Sequence, residues 1–95
     1  MNLTRVFIHG LESSSQGTKG MYFRNKYPDM MIEDFTGPFA QRMDKLNDLL
    51  RDKTDIIIVG SSYGGLMAAV YTFNNEMKVK KLLQSTPQSS GVPMN

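Results

Sequence analysis

Four apolar stretches of different texture divide this chain. Thr4–Ile8 (Thr-Arg-Val-Phe-Ile) is short, β-branched and aromatic and stops at His9-Gly10, which predicts a strand. Met30–Asp34 predicts a second, shorter strand. Ile56-Ile57-Ile58-Val59 follows Asp55 and ends at Gly60. A continuous aliphatic run without alternation marks a parallel strand covered on both faces. Val79–Leu83 predicts a fourth strand.

Between these stretches the pattern becomes helical. Thr18–Tyr27 predicts a short helix, with Thr18 as N-cap and Pro28-Asp29 as its stop. Thr36-Gly37-Pro38 is a turn that places proline where the first helical turn tolerates it. Phe39, Met43, Leu46 and Leu50 then recur at spacings of four, three and four, with Arg42, Asp44, Lys45, Asp48 and Asp52 on the other faces. This is an amphipathic helix with one buried stripe. Tyr63–Asn74 predicts a third helix of another kind. Leu66, Met67, Ala68, Ala69, Val70, Tyr71 and Phe73 leave it no polar face, so it expects burial nearly all round. Leu11–Gly17 is rich in Ser and Gly and reads as a loop, and Gln84–Asn95 reads as a disordered tail.

The order β-α-β-α-β-α-β predicts an α/β fold, a parallel sheet of about four strands with crossover helices. With right-handed crossovers and the first strand central, the strand order is 2-1-3-4. The sheet then changes winding direction between strands one and three. Ligands of open α/β sheets bind at such a switch point, beyond the carboxyl ends of the strands. The loops that meet there are His9-Gly10-Leu11 and Gly60–Gly64.

The second of these loops carries a motif. Gly60-Ser61-Ser62-Tyr63-Gly64 matches G-x-S-x-G, and only Ser62 can be its central serine, because centring on Ser61 would need glycine at Val59 and Tyr63. A nucleophile on a sharp strand-to-helix turn takes a strained backbone conformation and needs small neighbours on either side, here Gly60 and Gly64. The N–H of the next residue, Tyr63, then faces a developing oxyanion from the helix N-terminus. The plainer alternative is a Gly/Ser turn that only caps the helix. A strand ending Phe7-Ile8-His9-Gly10 is similar to what a hydrolase shows before its second oxyanion donor, which the backbone N–H of Leu11 would supply here. His9 is the only histidine. It reads as a structural residue shaping that loop, since a catalytic base would approach the serine from another loop with an acid behind it.

Composition narrows the classes. The 95 residues suffice for one domain that buries roughly 60–65% of its unfolded surface. Apolar content of 40% and charged content of 21% fit a globular chain. A net charge of +2 gives little footing for nucleic acid, and Lys78, Lys80 and Lys81 read as a solvated edge. The absence of cysteine excludes disulfides and thiolate zinc sites and suits a reducing, cytoplasmic setting. Met1–Arg5 lacks the apolar core of a signal peptide, and no apolar run approaches the length of a membrane helix. No cofactor or metal is expected. The eight methionines read as core filler.

These residues make the chain resemble the α/β-hydrolase superfamily, and more narrowly the small bacterial esterase-like YqiA family. The resemblance rests on the elbow and on Ile8-His9-Gly10-Leu11-Glu12-Ser13-Ser14, with Tyr27-Pro28 ahead of the second strand, and covers roughly Asn2 to Leu83. It implies hydrolysis of a small ester or thioester through an acyl-serine at Ser62. It also implies a later acid and histidine. No histidine follows Ser62, and the one acid that does is Glu76. Gln84-Ser85-Thr86-Pro87 departs from the family's pattern, as after truncation, a frameshift or an artificial end. The expectation is residues 1–83 as the first part of a hydrolase domain, inactive alone and prone to self-association through uncovered apolar surface. The alternatives are a non-catalytic remnant that binds a ligand or partner and a simple fragment with no function of its own.

Overall fold

The computed structural model describes residues 3–11 and 14–85. Strands and helices alternate as β1 (Thr4–Ile8), α1 (Thr18–Lys26), β2 (Met31–Ile32), α2 (Phe39–Leu49), β3 (Ile56–Ser61), α3 (Tyr63–Asn74) and β4 (Val79–Ser85). The strands form one parallel sheet in the order β2-β1-β3-β4, as the crossover rule requires. β1 and β3 run side by side at its centre, in register from Thr4 opposite Ile56 to Ile8 opposite Gly60.

The pleat sends alternate residues to opposite faces. Val6, Ile8, Ile56 and Ile58 pack with Phe35, with Met43, Leu46 and Leu50 of the α2 stripe, and with Met67, Ala68 and Tyr71 of α3. Each such aliphatic side chain contributes about 1.5–3 kcal/mol by leaving water. On the other face Phe7, Met30 and Ile32 pack with Phe23 and Tyr27, and Val59 lies against them half-buried. The Phe7 and Phe23 rings stand 5.0 Å apart.

Several expectations shift once partners are visible. The cap of α1 is Gly17, not Thr18, and it makes no side-chain cap hydrogen bond. Close packing holds that end instead, since a Cβ on Gly20 would come 2.4 Å from the Ser15 carbonyl oxygen. β2 leaves its ladder before Glu33, and the next backbone groups find other partners: the Asp34 carbonyl accepts from Lys45 Nζ, and the Phe35 N–H donates to His9 Nε2, while the Asp34 side chain accepts from the Ser15 N–H at 2.7 Å. α3 is not buried all round. It packs on the sheet and α2, while Leu66 and Phe73 on its outer side stay 50% and 80% exposed.

β4 also runs further than its apolar residues suggest. Gln84 and Ser85, assigned to a tail by composition, are strand residues, with Ser85 opposite Ser61. The rest of that segment, 86–95, lies outside the described residues, as do Glu12 and Ser13. The three lysines do not form one solvated edge. Lys78 donates to the carbonyls of Leu50 and Arg51, at 2.8 and 3.2 Å, closing the C-terminal end of α2 where a cation suits the helix dipole. Lys80 pairs with Asp55 at 3.6 Å. Among the described residues, no helix is long and apolar enough to cross a membrane.

Candidate active site

Ser62 is the hinge between β3 and α3, with φ 57° and ψ −117°. A non-glycine residue there is held in a rarely visited region of backbone space, at a cost of order 1–3 kcal/mol. Neighbours hold it. The Ser62 N–H donates to the Ser85 carbonyl at 2.7 Å, and the Ser62 carbonyl accepts from Gly65 and Leu66 at 2.8 and 3.3 Å. The strain accompanies a change in exposure: Ser61 is 8% exposed, whereas Ser62 stands at the surface.

The flanking glycines have the steric reason that the motif implies. A Cβ on Gly60 would stand 2.3 Å from the Gly64 carbonyl oxygen, and one on Gly64 would stand 2.1 Å from that of Ile8. β1, β3 and α3 therefore meet at backbone contact. Gly10 brings the loop after β1 to the same point, where an added Cβ would lie 3.3 Å from the Ser62 Cβ and 3.9 Å from its Oγ. The N–H groups of Leu11 and Tyr63 belong to these two converging segments. Neither has an acceptor among the described residues.

The side chain of Tyr63 is fixed from α2. Phe39 meets its ring edge-to-face with centroids 5.8 Å apart, and the Arg42 guanidinium lies 5.3 Å from the ring centre. Arg42 is itself buried, its Nε donating to the Gly37 carbonyl at 2.7 Å. Its Nη1 is also buried and finds no hydrogen-bond acceptor among the described residues, and the guanidinium stands against the π face of Tyr63.

His9 is buried with both ring nitrogens engaged. Nε2 accepts from the Phe35 N–H at 2.9 Å, so it carries no proton, and Nδ1 lies 2.7 Å from the Gly10 carbonyl, to which it donates. The partners define the tautomer: an amide N–H only donates and a carbonyl only accepts. His9 thus ties the end of β1 to the segment after β2 and shapes the Gly10-Leu11 turn. Nearby, hydrogen bonds from the Ser15 backbone N–H and hydroxyl hold the Asp34 carboxyl below the usual aspartate range against the opposing effect of burial, with the Lys45 ammonium adding a smaller attraction.

The site contains a group that the motif does not announce. Lys19, on the first turn of α1, donates to Ser61 Oγ at 3.1 Å and to Ser85 Oγ at 3.5 Å. Ser61 was visible as the residue before Ser62. Lys19 and Ser85 carry no local signal and arrive only through the topology. No acid–base pair is brought to Ser62 by these residues, and Glu76 follows α3 at its far end, about 20 Å along the helix by its rise. No group of three or more His, Cys, Asp or Glu that could hold a metal ion occurs among the described residues.

Comparison with models of known protein families gives no match, and comparison with curated protein sequences gives none either.

Proposed function

We propose that Ser62 is the nucleophile of an acyl-transfer site of the α/β-hydrolase kind, acting on a small ester or thioester. The observation that carries this reading is the backbone of Ser62, φ 57° and ψ −117°, at a strand-to-helix junction packed glycine against backbone. A turn that only capped the helix would need no such strain, and Ser62 makes no side-chain cap hydrogen bond to α3. In the proposed reaction the hydroxyl oxygen attacks the acyl carbon. The resulting oxyanion takes hydrogen bonds from the N–H groups of Tyr63 and Leu11, and the alcohol or thiol leaves with a proton.

A base must take the serine proton, and none of these residues is placed to do so. His9 has no free nitrogen, and no histidine follows Ser62. Removing triad members lowers turnover by about 10⁴–10⁶-fold, so negligible hydrolysis is expected from these 95 residues alone. The test is fluorophosphonate labelling of this chain beside a version lengthened by sequence that supplies an acid and a histidine after two further strands. Labelling confined to the lengthened version and abolished by Ser62→Ala is the expected result. Labelling of the lengthened version that survives Ser62→Ala would overturn the assignment.

A second reading, a partner-binding module without catalysis, draws on Leu66, Phe73 and Leu83, which lie exposed on α3 and β4. It predicts association with no gain of labelling in any lengthened version.

A further inference from the structure

We propose that Lys19, with the hydroxyls of Ser61 and Ser85, forms an oxyanion-binding subsite beside Ser62. The substrate would then be a small ester that carries a carboxylate or phosphate on its acyl or alcohol part. The substrate class rests on the function proposed for Ser62, whereas binding of the anion does not.

Hydrogen-bond donors converge at this place. Lys19 reaches from the first turn of α1 to the tips of two strands and donates to Ser61 Oγ at 3.1 Å and Ser85 Oγ at 3.5 Å. Each serine oxygen accepts from the ammonium, so each hydroxyl hydrogen is left to donate elsewhere. The ammonium has a third N–H as well. Three hydrogens from three elements thus gather at one place, and the acceptor that matches them is an oxyanion. Pinning a long lysine side chain also costs rotamer entropy, a poor exchange for two neutral hydroxyls alone.

The place fits a substrate group. Ser61 adjoins Ser62, with successive Cα atoms about 3.8 Å apart, and both lie at the carboxyl end of the sheet, at its switch point. The position of Lys19 is built rather than incidental. Gly20 packs against the Ser15 backbone, Ser15 is held by Asp34, and Ser85 is aligned with Ser61 by strand register. The Asp34 carboxylate is already engaged by the Ser15 N–H.

The test is a titration of the 95-residue chain followed by backbone amide NMR at constant ionic strength. The probes are monomethyl succinate for the carboxylate source, inorganic phosphate for the phosphate source and dimethyl succinate as the neutral control. Saturable shifts of Lys19, Ser61 and Ser85 with one or both anions and none with the neutral diester are expected, and which anion saturates identifies the source. Lys19→Met should weaken binding about fivefold, as for a partly exposed charge, and Lys19→Arg, which keeps the charge, should restore most of it. Equal binding by Lys19→Met and native chain, or equal shifts with the neutral diester, would overturn the proposal. Ser62→Ala should bind the anions unchanged, so a failure of the nucleophile assignment would not mimic a failure of this one.

Discussion

The two faces of the sheet are made from alternate residues of the same strands, yet they are finished differently. Under α2 and α3, Ile56, Ile58, Val6 and Ile8 are sealed from water. Under α1, Phe7 is sealed but Ile57 and Val59 are only half-buried, and Leu83, opposite Val59, is 44% exposed. One helix cannot span four strands. The closed face supplies the stability, and the open one is bordered at its carboxyl end by Lys19, Ser61 and Ser85. The difference teaches that the elbow rests on a finished core on one side and an unfinished surface on the other.

The largest expected effect tests that contrast directly. Ile58→Ala on the closed face should destabilise by about 3–4 kcal/mol, and Val59→Ala, one residue along and on the open face, by about 1 kcal/mol, read as shifts in urea midpoint. Equal losses would mean that the faces are packed alike. Gly64→Ala should destabilise by about 2–3 kcal/mol in the same assay, because its Cβ would force the β1 carbonyls away from α3. A neutral result there would break the claim of backbone contact at the elbow.

Smaller effects concern what is left uncovered. Replacing Leu66 and Phe73 together by Lys should change folding stability by less than about 0.5 kcal/mol, and the partner-binding reading adds that the native chain associates in sedimentation and the double variant less so. Unchanged association would point to the β4 edge instead. The smallest effect is expected at Asp34. Its carboxyl is held below the usual range in the fold, so its stabilising contribution is full above the ordinary aspartate value, near pH 4. That contribution fades as pH falls through the lowered pKa. The stability gap between the native chain and Asp34→Asn should shrink on acidification, and a gap that widened would contradict the Ser15 anchor.

Much of this was legible in the residues. The Phe39-to-Leu50 spacing announced α2 because it matches the helical period, and the unbroken run Ile56–Val59 announced a parallel strand by its length, branching and bounding Gly60, although the cover it implied on both faces is complete on only one. The elbow was legible because its glycines are demanded by local sterics. Other features depended on distant partners. The length of β4 comes from pairing Ser85 with Ser61, which polar residues do not advertise. The exposed side of α3 has no packing neighbour among the described residues, and its sequence reads the same buried or bare. Lys19 stands 42 positions from Ser61, and no local pattern joins residues that far apart.

The bond from the Ser62 N–H to the Ser85 carbonyl has a consequence for the order of synthesis. A chain leaving the ribosome exposes Ser62 well before Ser85 exists to meet it. Parallel pairing is non-local and forms late. During that interval the serine is an ordinary residue in a glycine-rich turn, free of strain. The turn takes its shape only when β4 docks, so the strained backbone of Ser62 is timed by the arrival of that strand.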